Sequence, residues 1–425
     1  MSVADTPGTP FAEFFGSPRL TQALATTGIG LAVLVYPARR LIGWPGLLGA
    51  LAVLLVLMAI SFTVRRREIE LHGLLPISLL AFLGWSVVSL VWSAYQWATV
   101  GGLIYLAAFT AVGVFVALSR DSIQVVRAFG DVLRFVLVLS LAVEVFAGLV
   151  MQGPIPVLGV KGQIADLLPI SGVVSTRNQL GLVAIIGAIT FATQARTRSV
   201  SRLNAIASLA VAGLCILFTF SPVVYGAAIL VGIAAVVLYG IRRVPASGRP
   251  ALQIVILVAA AVVAAIAWIL RSPIIAAFNA SGVLNYRIGL WKQIFSLIQL
   301  NFLQGYGWMG PWRTGIPPYS GLVASGDRPT GTALNAFLDV WLQLGLVGLV
   351  LFVVLVGLAF TRSWLLAGRR RSVVYAWPAA TLVGLIVMSL AESSSIAEFG
   401  WMTFVICCVK ASQELSWRRA LRPRE

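Results

Sequence analysis

Residues 251–270 read ALQIVILVAAAVVAAIAWIL, twenty residues without a single charge. A hydrocarbon core about 30 Å thick takes roughly 20 apolar residues per spanning helix, so this run is long enough to cross a bilayer unaided. It has many counterparts. Of 425 residues, 59% are hydrophobic and only 11% charged, and the apolar runs recur along nearly the whole chain. Too many of them exist for one soluble core to absorb. The expected fold is an all-α polytopic membrane protein of about twelve transmembrane helices, near 20–36, 41–63, 74–92, 99–118, 132–151, 178–195, 203–220, 222–241, 251–270, 334–361, 373–391 and 396–411. Only Ser221-Pro222 separates the seventh from the eighth, which predicts a tight hairpin or one broken helix.

The net charge of +17 would suit a nucleic-acid binder, but its placement does not. Basic residues fall in short clusters between apolar runs, the pattern that orients a membrane protein. Even-numbered connections are rich in arginine: Arg65, Arg66 and Arg67; Arg120 and Arg127; Arg196, Arg198 and Arg202; Arg242, Arg243 and Arg249; Arg362, Arg369, Arg370 and Arg371. The short third, seventh and eleventh connections have none, although the first holds Arg39 and Arg40. The positive-inside rule then puts both termini in the cytoplasm and the odd connections outside. The expected organisation is a cytoplasmic tail over 1–19, one transmembrane domain over 20–411, and a basic cytoplasmic tail over 412–425. Cys215, Cys407 and Cys408 lie inside apolar segments and read as small core residues. The start lacks the basic n-region and apolar run of a cleavable signal peptide.

Two odd connections are long, 152–177 and 271–333, and both are expected on the extracytoplasmic side. Each carries cations that orientation does not explain: Lys161 and Arg177 in the first; Arg271, Arg287, Lys292, Arg313 and Arg328 in the second. The planar fork of an arginine donates two hydrogen bonds at once, which suits phosphate groups. Ordinary solvated loop charges are the competing reading for any one of them.

Inside the tenth stretch, Asn335, Asp339 and Gln343 recur every four residues and share one helix face. An acid that deep in an apolar helix faces a cavity or a partner; polar glue between helices is the plainer account. Glu144 in the fifth stretch is a second buried acid, a candidate partner for a loop arginine. At the start of the sixth, Arg177 and Asn178 precede helix amides able to hold an anion, or Ser175 or Thr176 simply caps the helix.

With these pieces in place, the chain resembles the O-antigen ligase and O-antigen polymerase superfamily of bacterial membrane glycan-joining enzymes. The likeness runs from Trp92-Ser93 to the end. Asn178 stands where the family's glycine-rich stretch ends in an Asn before a helix. Arg287, Trp291 and Gly305-Tyr306-Gly307 are similar to its arginine–tryptophan–Gly-x-Gly signature. Asn335 to Gly348 looks like its His-Asn helix, and Glu392 followed by serines like the acidic end of its penultimate helix. The resemblance implies transfer of a glycan from a polyprenyl-diphosphate donor to a saccharide or lipid acceptor at the outer face of the bacterial plasma membrane, inverting, without metal or cofactor. Arg287 is then expected to stabilise the departing diphosphate, with Asp327 and Asp339 as further catalytic candidates. Arg177, Asn178, Trp291, Arg313, Arg328, Asn335 and Glu392 would bind substrate.

Two positions depart from the pattern. The family's histidine before the Asn is Leu334 here, and its Ser-Arg pair is Ser221-Pro222. The sole histidine, His72, falls in an expected cytoplasmic connection. Asp327, Asp166, Asp339 and Glu392 are the candidate replacements for a base. Two other readings remain open: a catalytically impaired member that binds lipid-linked glycan, and a flippase or transporter.

Overall fold

The computed structural model describes residues 10–66, 76–245, 247–270, 272–273, 281–324, 328–329 and 331–414. The described chain is helical almost throughout. In order the helices are α1 (Pro10–Gly16), α2 (Pro18–Val33), α3 (Val35–Val64), α4 (Ile77–Val88), α5 (Gln96–Ser119), α6 (Ser122–Val145), α7 (Arg177–Thr197) and α8 (Arg202–Phe218). They continue with α9 (Pro222–Arg243), α10 (Arg249–Ile269), α11 (Ser281–Leu300), α12 (Ala336–Arg369), α13 (Ala376–Ser389) and α14 (Glu398–Glu414). The β structure among the described residues amounts to one two-residue antiparallel pair, β1 (Val323–Ala324) with β2 (Arg328–Pro329), and an isolated bridge between Ile155 and Val160. Each of the twelve apolar stretches contains a helix. Among the described residues six helices are long and apolar enough to cross a membrane: α3, α5, α6 with its extension to Val150, α7, α9 and α12.

Capping sets several of the starts. Ser17, Asp121, Thr176, Ser201 and Ser221 each accept a hydrogen bond from an amide of the first turn, and Pro18 and Pro222 occupy first positions where no donor is needed. The turn at Ser221 does not fold α8 back onto α9. Instead α8 packs mainly on α7, while α9 packs on α13. The core centres on α14, in which Phe399 through Ala411 are buried on every side between α5, α12 and α13, as a helix apolar on nearly every face requires. Cys407 and Cys408 are core residues there, and all three cysteines are free.

Two boundaries differ from expectation. Helix α6 begins ten residues before the apolar run at 132, because Arg127 and Asp131 belong to its first three turns. Those charges hide a helix from a hydropathy reading, yet Arg134 is satisfied by Gln194 and Ser208, both at 2.8 Å. The 271–333 connection also contains a 20-residue helix, α11. Its Leu290, Ile294 and Ile298 are buried at four-residue spacing, so it lies as an amphipathic helix against α12.

Helix α12 is broken at Gly345, whose φ is +68°. A break inside an apolar helix strands backbone groups that lipid cannot satisfy, and the 302–307 segment supplies them. Tyr306 N donates to Leu342 O at 3.1 Å, Gly307 N to Gln343 O at 2.8 Å, and Leu346 N to Phe302 O at 2.9 Å. The indole of Trp85 donates to Leu344 O at 3.0 Å. This close approach needs glycine on both sides. A Cβ on Gly345 would sit 2.1 Å from Leu303 O, and one on Gly305 2.5 Å from Gly345 N. Gly345→Ala is therefore expected to destabilise by about 2–4 kcal/mol. Gly357→Ala on the same helix, where a Cβ meets nothing within 4 Å, is expected to be neutral or slightly stabilising. Midpoints of unfolding in mixed micelles compare the two.

Candidate functional site

Five of the positions singled out in the sequence meet at one end of the bundle. Arg287, on the α11 face that carries Leu290 and Ile294, is 6% exposed. Its Nη1 donates to Leu334 O at 3.0 Å and to Ala391 O, and its Nη2 to Glu392 Oε1 at 2.9 Å. Glu392 stands in the turn between α13 and α14, where Ser389 and Ser395 hydroxyls bond each other at 2.5 Å. The same Glu392 oxygen accepts from Asn178 Nδ2 at 2.5 Å, and Asn178 Oδ1 accepts from Ser221 Oγ at 2.6 Å. One chain of hydrogen bonds thus ties α7, α9, α11 and the α13–α14 turn. Asn335 joins it as the cap of α12, accepting from Phe337 N and Leu338 N and donating Nδ2 to Leu390 O at 3.1 Å.

The geometry leaves two capacities unused. A guanidinium carries five N–H groups; Nε–H and one Nη2–H of Arg287 have no partner among the described residues. Glu392 Oε2 likewise accepts no bond among them. Burial makes the Arg287–Glu392 contact more than a surface pair. With side-chain exposures of 8% and 14%, it is shielded from the solvent screening that weakens exposed ion pairs.

Beside this network lies a polar basin of about 640 Å³, lined in part by Tyr36, Arg40, Lys161, Ser175, Thr176 and Arg177. No carboxylate lines it among the described residues. Arg177 donates to Phe220 O at 3.2 Å and Arg40 to the Tyr36 hydroxyl at 3.2 Å. Thr176 caps α7 through Gln179 N at 3.1 Å, so the capping reading holds while Arg177 remains on the basin wall. Arg40 is an exception to the orientation pattern in the sequence, and only folding brings it beside Lys161 of the fifth connection.

The other expected residues lie elsewhere. Asp339 is 1% exposed and its oxygens are taken by Trp312 Nε1 at 2.7 Å, Ala333 N at 3.1 Å and Gln343 Nε2 at 2.8 Å. Gln343 in turn accepts from Met309 N and Gly310 N. Asp339 and Gln343 on the polar face of α12 therefore anchor the 305–312 and 333 segments. Trp291 fastens the same region by donating to Ala333 O at 2.9 Å. Arg313 is exposed and stacks 4.5 Å over Trp97, with no contact to the Arg287 network. Arg328 takes part in β2 through its backbone, and its side chain lies outside the described residues, as does Asp327. Asp166 is exposed in the fifth connection. Among the described residues Glu144 takes no arginine as partner. It accepts from the backbone amides of Ser171 and Gly172 at 3.3 and 3.0 Å, because the 171–173 segment turns its donors inward. Leu334, in the place of the expected histidine, has φ +52°, and its carbonyl is one of the two that hold Arg287.

No curated protein matches this chain. Residues 207–353, about a third of its length, match the family model described as O-antigen ligase. That span runs from α8 into α12 and contains Ser221, Arg287, Gly305-Tyr306-Gly307 and Asn335, while Asn178 and Glu392 lie outside it and are hydrogen-bonded to it. The match supports the place of this multi-pass membrane protein in the O-antigen ligase superfamily and implies an enzyme of the ligase or glycosyltransferase type.

Proposed function

We propose that this chain transfers or polymerises a glycan from a polyprenyl-diphosphate donor onto an acceptor hydroxyl at the outer face of the plasma membrane, with inversion and without a metal. The observation that carries the reading is the part-buried network Ser221–Asn178–Glu392–Arg287, which collects the family-like positions from four elements into one place. In the reaction the acceptor oxygen forms a bond to the anomeric carbon as the bond to the diphosphate breaks. The bonding pair leaves on the diphosphate, and the acceptor proton must go elsewhere. Arg287, held by two carbonyls and a carboxylate, offers its two unused N–H groups to the growing negative charge, which stabilises the transition state beyond the ground state. Glu392 Oε2 takes the proton in the role expected of the absent histidine. The Arg40–Lys161–Arg177 basin supplies further positive charge for the phosphates.

Glu392→Gln keeps an acceptor for Arg287 and Asn178 but not a base. We expect it to lower transfer about 10²–10⁴-fold with donor binding intact, read as release of polyprenyl diphosphate from radiolabelled lipid-linked oligosaccharide. Movement of intact donor between leaflets without such release would instead support a flippase, and binding with neither would support an impaired family member. The orientation is testable separately. The native cysteines are buried, so Asp166→Cys is expected to react with a membrane-impermeant maleimide on intact cells; labelling only after lysis would overturn the outward assignment.

A further inference from the structure

At the helix ends remote from the Arg287–Glu392 pair, a groove of about 580 Å³ opens between α7, α9 and α13. Its walls are apolar, with Ile189, Val231, Leu238 and Ala380 among them. Four arginines line it where those helices end or begin: Arg196, Arg242, Arg243 and Arg371. No carboxylate lines it among the described residues. The cations make do with neutral groups. Arg196 and Arg243 lie 5.3 and 4.5 Å from the Tyr239 ring centroid, Arg243 donates to the Tyr239 hydroxyl at 2.8 Å, and Arg242 donates to the Arg371 carbonyl. Nη1 of Arg242 is buried with no hydrogen-bond partner.

Four like charges without an acid, one of them with a stranded buried donor, describe a place that an anion rich in oxygen acceptors would complete. The apolar walls ask for more than an inorganic ion, because a small anion would leave them unfilled. The neighbouring α9 residues Ile229, Ile233 and Val236 are exposed, which lets a hydrocarbon chain enter sideways from the bilayer. We infer that the groove binds one anionic phospholipid, its phosphodiester held by the arginines and an acyl chain laid between α9 and α13. By the distribution of arginines, this end faces the cytoplasmic leaflet, where anionic headgroups concentrate and attract basic residues. The inference stands apart from the transfer reaction.

The test uses the purified full-length protein in a non-ionic detergent, with lipid adducts read by native mass spectrometry. Phosphatidylglycerol is expected to be retained about tenfold more than phosphatidylcholine of the same chains, and glycerol phosphate not at all. Arg242→Gln with Arg243→Gln is expected to bring phosphatidylglycerol down to the phosphatidylcholine level. Arg198→Gln with Arg202→Gln, the same charge change on exposed residues outside the groove, is expected to leave it unchanged. Ala235→Phe keeps every arginine and fills the apolar part, and should also expel the lipid; it carries the test if the arginine variant does not fold. Equal retention of the two lipids, or equal loss from both arginine pairs, would show diffuse surface attraction and overturn the site. Retention of glycerol phosphate would mean a free-phosphate site in place of a lipid one.

Discussion

Arg287→Lys is expected to cut glycan transfer about 10²–10³-fold, the scale seen when one transition-state donor is removed. The charge survives but the geometry does not. In the native protein Nη1 reaches both Leu334 O and Ala391 O while Nη2 reaches Glu392, so one planar group bridges the cap of α12 and the α13–α14 turn. A lysine ammonium has three donors on one nitrogen, and it cannot touch those three partners and still present a fork to a diphosphate. The carbonyls it fails to reach are left in a buried setting, which also costs stability. Donor binding should be measured with the transfer rate, since the proposal requires the rate to fall further than the affinity. Wild-type transfer in the lysine variant would remove Arg287 from the mechanism.

The largest effect on stability is expected from Asp339→Ala, about 3–5 kcal/mol. Its two oxygens accept from the indole of Trp312, the amide of Ala333 and the side chain of Gln343; alanine leaves the first two donors buried without a partner and Gln343 Nε2 with Gly310 O alone. Gln343 then loses its alignment to Met309 and Gly310, so the damage spreads along the segment that closes on α12. Asp339→Asn keeps most of the shape and should cost less, about 1–2 kcal/mol. Denaturant midpoints in mixed micelles, read by far-ultraviolet circular dichroism, compare them. Near-wild-type stability of the alanine variant would show that the carboxylate is not what fastens this segment.

Hydropathy made the helices legible because a bilayer-length apolar run has few other uses. It failed where charge and helix coincide. Arg127 and Asp131 concealed the first turns of α6, and Asn285, Arg287 and Lys292 concealed α11, because exposed polar residues share these helices with buried apolar ones. The gathering of Asn178, Arg287, Asn335 and Glu392 was anticipated by their likeness to family positions, not by any spacing among them. Their actual partners were out of reach: nothing in the order of residues says that Ser221 bonds Asn178, or that Arg40 comes beside Lys161. Asp339 and Gln343 were visible as a helix face, yet the face could not say what it looked toward. Periodicity gives direction around a helix and is silent about the neighbour.

The joint between the 302–307 segment and the interrupted α12 makes the protein unequal in its tolerance of change. There two stretches of main chain trade amides and carbonyls in fixed register, so inserting or deleting one residue between Phe302 and Gly307 would throw every later pairing out of step. Among the described residues of 311–330 no such ladder runs against α12: Trp312, Tyr319 and Leu322 are buried, while Arg313, Thr314, Gly315 and Ser320 are exposed and free to vary. Sequence change should therefore collect at the exposed positions of that second stretch, with the first kept as an unvarying hinge-pin.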